Sequence, residues 1–172
     1  QPMFNERSKA QYHCYRDYAA AFILRTREAH QSSVYLLQQV LEQAIKFEFT
    51  ELIADICRQL RSQFARTPGD SSNHEKFSEL HRIYEEKRYL EFKAFDYQEN
   101  LIHHYINGRS TNEEVHNLAN QYFEELLPKA PSVDTVQFYL HTYHVGVIKF
   151  LSANDCKKSV EICDEALQIL QA

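Results

Sequence analysis

Turn-forming residues are scarce: only Gly69, Gly108, Gly146 and Pro2, Pro68, Pro128, Pro131 occur in 172 residues. A β-sandwich or barrel needs many tight turns and makes them with glycine, proline and Asn-Gly pairs. The scarcity excludes those folds and leaves long elements with few corners, which means helices. Three isolated glycines also cannot build a phosphate loop, a dinucleotide fingerprint or a nucleophile elbow. A basic excess is missing as well. The net charge of −5 argues against nucleic acid as a partner, which would need a basic face. No window reaches the roughly 18 uncharged apolar residues of a membrane span, so no membrane association is expected. Asn5-Glu6-Arg7-Ser8-Lys9 stands where the apolar core of a secretory signal would begin. The four cysteines lack any Cys-x-x-Cys spacing, and without an export signal they read as buried thiols of a cytoplasmic protein rather than disulfides.

Hydrophobic residues make up 44% and charged residues 25% of the chain, ordinary values for a globular protein. Their spacing is helical throughout. Tyr12, Tyr15, Ala19, Phe22, Ile23 and Thr26 mark one face of a helix over about 5–29. Ser32-Ser33 offers a cap for a second helix carrying Val34, Leu37, Val40, Leu41, Ala44 and Ile45. A third stripe runs Phe49, Leu52, Ile53, Ile56, Cys57, Leu60 and Phe64, and only Thr50 recommends a turn before it.

The segment Thr67-Pro68-Gly69-Asp70-Ser71-Ser72-Asn73 is a loop, and Ser72-x-x-Glu75 is a capping box for the next helix. That helix runs unbroken from about Asn73 to Ile106, carries Phe77, Leu80, Ile83, Tyr84, Leu90, Phe95, Ile102 and Ile106, and stops at Asn107-Gly108. Glu85-Glu86-Lys87-Arg88 within it reads as a solvated face. Thr111-x-x-Glu114 is a second capping box, opening a helix with Val115, Leu118, Ala119, Tyr122, Phe123 and Leu126 that Pro128 and Pro131 close. The segment from about Ser132 to Ser152 is apolar nearly all round, as for a helix buried between neighbours. Asn154-Asp155 caps a last helix with Val160, Cys163, Ala166, Leu167 and Leu170 expected inward. About seven helices with short connections pack as antiparallel neighbours, either as a closed bundle or as an open stack of hairpins within a single domain spanning 1–172. The 22 Tyr and Phe residues are expected mainly in the core, as are the thiols of Cys57 and Cys163.

One stretch is more specific. Tyr143, Phe150, Ser159 and Ala166 lie where a tetratricopeptide repeat places a bulky residue, a large residue and two small ones, and Asn154 stands at the usual turn glycine. Val147 departs from the small residue expected beside it, with the glycine displaced to Gly146, and Cys163 replaces an aromatic. Residues 143–167 therefore resemble that family. Ala119, Phe123, Leu126 and Pro131 continue a partial unit before it, and Val34–Phe64 fits loosely. The resemblance implies an open right-handed stack of helix pairs whose first helices line a groove for a protein or peptide. It places His141 and His144 on that groove, where imidazoles offer donors and acceptors near neutral pH, and His104 is a third groove candidate.

The competing chemistry is a metal site. Glu113-x-x-His116 puts two ligands on one helical face, the spacing used by dimetal bundles, and His103-His104 and His141-x-x-His144 could complete it. Only one such unit occurs, and His-Glu-x-x-His is absent. The chain is accordingly expected to be a non-catalytic binding scaffold with no cofactor and no metal, against the alternative of a histidine/carboxylate metalloenzyme. The apolar stripe of the last helix ends with the chain, so a further helix, a partner or self-association through this helix is expected to cover it.

Overall fold

The computed structural model describes residues 5–108 and 110–171, with side chains through residue 169. Among the described residues all regular structure is helical: α1 (Glu6–Thr26), α2 (His30–Lys46), α3 (Thr50–Phe64), α4 (Ser71–Ile106), α5 (Asn112–Leu126), a 3-10 turn (Leu127–Lys129), the single turn α6 (Ala130–Val133), α7 (Val136–Ser152) and α8 (Cys156–Gln171). The seven long helices are those expected from the spacing of apolar residues. None is long and apolar enough to cross a membrane, among the described residues.

Three connections are made the same way. After α1, α2 and α7 the chain spends three residues, the middle one left-handed: Glu28 (φ 64), Glu48 (φ 54) and Asn154 (φ 58). The amide after each reaches back to a carbonyl five residues earlier: Ala29 to Leu24 at 3.0 Å, Phe49 to Ala44 at 2.9 Å and Asp155 to Phe150 at 2.9 Å. These bonds satisfy carbonyls that a helix end leaves open. So short a link folds the next helix back beside the last. Asn tolerates this conformation, whereas Glu does so at a cost, and a reading based on glycine and proline passes over both glutamates.

Helix starts differ in three places from the sequence expectation. The second helix begins at His30 rather than after Ser32-Ser33, with Ala29 before it and no side-chain cap. Ser33 is buried instead, and its hydroxyl donates to the Ala21 carbonyl at 2.8 Å. The long helix begins at Ser71, so Ser72 lies within its first turn; Asp70, just ahead, accepts from Asn73 Nδ2 at 2.7 Å. The Thr111 and Glu114 capping box forms as expected, both reciprocal bonds being present. The segment expected to begin at Ser132 is divided by Asp134 (φ 46), and Thr135 caps α7 proper.

The chain divides into two compact units, Gln1–Arg88 and Tyr89–Ala172, each described by itself. In the first, α3 supplies the densest core: Leu52, Ile53, Ile56, Cys57 and Leu60 are buried against Leu37, Val40, Leu41 and Ala44 of α2 and Phe77 of α4. Burying each such Leu or Ile contributes about 1.5–3 kcal/mol. Helix α1 docks through small residues, Cys14 and Ala21, so the face with Tyr12, Tyr15, Phe22 and Ile23 is exposed. Cys14 and Ala21 permit the close approach to α2 that the large residues would prevent.

In the second unit, α7 lies between α5 and α8 and buries Phe138, Tyr143, Val145 and Gly146, as its all-round apolarity predicts. Leu90, Ala94 and Leu101 of α4 join Val115, Ala119, Phe123 and Leu126 of α5 in this core. Two corrections arise here. Helix α8 turns Ser159 inward, with Ile162 partly buried against the core, while Val160, Cys163 and Leu167 face outward; the Leu170 side chain lies outside the described residues. The expectation for the aromatic residues holds only in part: Phe49, Phe77, Phe123, Phe138 and Tyr143 are buried and Tyr18, Phe47, Phe64, Tyr84, Tyr97, Tyr122 and Tyr139 pack half-buried against the cores, but Tyr12, Tyr15, Phe22, Tyr35, Tyr89, Phe92, Phe95 and Tyr105 are exposed.

Candidate functional site

From Tyr89 onward α4 is apolar on two sides. Leu90, Ala94 and Leu101 recur at four and seven residues and enter the core. Phe92, Phe95, Ile102 and Ile106 recur at three, seven and four residues on another face, which is exposed: Phe92 is 66% and Phe95 40% accessible. The sequence reading gives Leu90, Phe95, Ile102 and Ile106 as one series along this helix, without separating the two faces. Helical periodicity permits that reading, because a helix with two apolar faces shows apolar residues at most spacings.

His141 of α7 meets this exposed stripe. Its ring stands edge-on to Phe95, with centroids 5.2 Å apart and planes at 71°. Its Nδ1 lies 2.6 Å from Gln98 Oε1. With a carbonyl oxygen as partner, Nδ1 is the donor, and the neutral ring keeps a lone pair on Nε2. Burial, assisted by the nearby His144, holds the His141 pKa below its ordinary value, which favours the uncharged ring. His144, one turn later on α7, is exposed. The two α7 histidines expected to share one role therefore differ: one is half-buried and held by α4, the other open.

His104 does not join them through a bond; it is half-buried and its Nδ1 lies 2.8 Å from the Ser110 hydroxyl, closing the turn after α4. The other histidines invoked for a metal site are also engaged locally. His103 Nδ1 lies 3.0 Å from Asn107 Nδ2, and His116 Nδ1 lies 2.8 Å from the Lys149 carbonyl, tying α5 to the end of α7. Among the described residues no three His, Cys, Asp or Glu side chains come together as a metal-binding group. Gln98 and Phe92 were not picked out from the sequence; only the second stripe on α4 signals them.

The edge of this surface is braced by Glu125 of α5. It accepts from Lys93 Nζ, from the Tyr97 hydroxyl at 2.7 Å and from Lys129 Nζ at 3.2 Å. These donors, Lys93 first, depress its pKa to about 2. Tyr97 stacks on Tyr122 with centroids 3.7 Å apart. The brace fixes the angle of α4 against α5, and hence where Phe92 and Phe95 stand.

The first unit has a concavity of its own, a cleft of about 950 Å³ walled in part by Arg25, His30, Tyr35, Gln63 and Arg66. None of the candidate residues lies there. No family model, no curated protein and no solved structure matches the chain.

Proposed function

We propose that this protein is a non-catalytic, cytoplasmic helical-repeat scaffold that binds a protein or peptide segment along the exposed faces of α4 and α7 in its second unit. The observation that carries the reading is the exposed row Phe92, Phe95, Ile102, Ile106 with His141 held against it. Exposed aromatic anchors beside a few oriented polar groups are what a peptide site needs: the rings supply desolvation, and His141 Nε2 with the exposed His144 offers hydrogen bonds to a backbone or polar side chain. The tetratricopeptide resemblance agrees with this side of the stack, since it assigns His141 and His144 to the groove. The left-handed Asn154 in the α7–α8 turn suits such a hairpin. Four free thiols suit a reducing compartment.

The test is selection from a displayed library of random peptides, using the whole chain as bait. Enriched peptides should bind Phe95→Ala/His141→Ala at least roughly tenfold more weakly than wild type, with helicity by circular dichroism unchanged. If no peptide is enriched, or if enriched peptides bind the double variant as well as wild type, the surface is not the site.

A further inference from the structure

The outward face of α8 is a narrow apolar seam. Cys156, Val160, Cys163 and Leu167 alternate at four, three and four residues, the spacing of a two-helix seam. All four are exposed, Val160 at 59% and Leu167 at 53%. On the α7 side the seam is bordered by Ser159 and Ala166, which carry no charge and are buried or half-buried. Its other border carries Lys157 and Asp164, seven residues apart and therefore on one flank of the helix.

We propose that α8 is a self-association helix, and that two copies of the chain pair antiparallel through this seam, Lys157 of each copy facing Asp164 of the other. Charge decides the orientation. In a parallel pair, the flank of Lys157 and Asp164 would meet the neutral flank of Ser159 and Ala166, which α7 already occupies. In an antiparallel pair, the charged flank meets itself in reverse, so both contacts join opposite charges on the side away from α7. Layers then form between Cys156 and Leu167 and between Val160 and Cys163, each repeated by the two-fold axis. The opposed helix dipoles add a small favourable contribution. The contact is isologous and closes at two copies. It is independent of the α4 and α7 surface.

Sedimentation velocity of the whole chain under reducing conditions, from about 1 to 200 μM, should show monomer passing to dimer and stopping there. Val160→Asp should be monomeric across the range with its circular dichroism unchanged. Lys157→Asp and Asp164→Lys should each raise the dissociation constant by roughly tenfold, and the double exchange should restore it to within about threefold. Wild type that is monomeric throughout overturns the proposal. So does mass that grows beyond the dimer, as head-to-tail docking on α1 would give, and so does a double exchange as weak as the product of the single effects.

Discussion

Glu28 and Glu48 sit at the left-handed position where helices most often place glycine. An L-residue with a β-carbon is strained there by about 1–2 kcal/mol, while glycine gives back part of this gain through its greater freedom in the unfolded chain. Glu28→Gly is therefore expected to stabilise the protein by roughly 0.5–1 kcal/mol, read as a higher urea midpoint; a lower midpoint would show that the glutamate side chain holds the turn. Gly146 is the opposite case. It lies within α7, where alanine is ordinarily favoured by about 1 kcal/mol, but a β-carbon there would stand 2.7 Å from Phe123 Cε2 and 3.1 Å from Cζ. That ring is buried, so moving it disturbs its own packing, and overpacking costs about 1–3 kcal/mol. The clash wins, so Gly146→Ala should lower stability by about 1 kcal/mol. In a Phe123→Leu background the same substitution should become neutral or stabilising. A destabilisation that persists there would mean the Phe123 ring is not its cause.

The helices are held to one another by different means, and this is clearest in pH dependence. Glu125 links α5 to Lys93 and Tyr97 of α4 and to Lys129 beyond its own end. Its pKa is depressed from 4.5 to about 2, so its stabilising effect is present in full above the ordinary carboxylate value and is lost as pH falls from there towards about 2. The carboxylate is partly open to water, which screens the pairs. Glu125→Gln should lower stability at pH 7 by an amount on the order of 1 kcal/mol and have almost no effect near pH 2. Urea midpoints of both proteins at the two pH values check it, and a gap that persists at low pH would assign the loss to packing rather than charge. Helices α1 and α8 are the least covered elements. Each buries mainly small residues, Cys14 and Ala21 in one and Ser159 with the half-buried Ala166 in the other, and each turns most of its larger apolar residues outward, with Tyr18 and Ile162 half-buried against the cores.

Among the described residues the molecule has two cores with no residue in common, each formed by its own unit. Leu60 is fully buried in the first and Leu126 in the second. Leu60→Ala and Leu126→Ala should each cost about 2–5 kcal/mol, and because they share no packing partner the double variant should lose the sum to within roughly 0.5 kcal/mol. A coupling well above that value, from chemical denaturation, would show that the two cores are one cooperative system. Most of the exposed large apolar residues lie on α1, on the second half of α4 and on α8, and a charge of −5 adds a general repulsion between copies. Pairing through α8 must overcome that repulsion, so added salt should strengthen the seam's apolar contacts relative to it while weakening the Lys157 and Asp164 pairs.

Composition and spacing alone determined that the chain is helical, the order and approximate spans of its seven long helices, and that α7 is enclosed. Helical periodicity and the near absence of glycine and proline are properties of the chain itself, and the Thr111 box is a bond between residues three apart. The tertiary structure alone decided which apolar stripe faces inward. On α1 the aromatic stripe and the small-residue stripe both recur at helical spacing, and Cys14 and Ala21 win because a close helix pair admits only small groups. On α4 two apolar faces lie at different angles, one in the core and one open, and only a neighbour in space can assign them. The α7 histidines follow the same rule. Their place on α7 is legible in the sequence, but the Gln98 and Phe95 that hold His141 are 43 and 46 residues away in the chain, and no local pattern reports a contact at that separation.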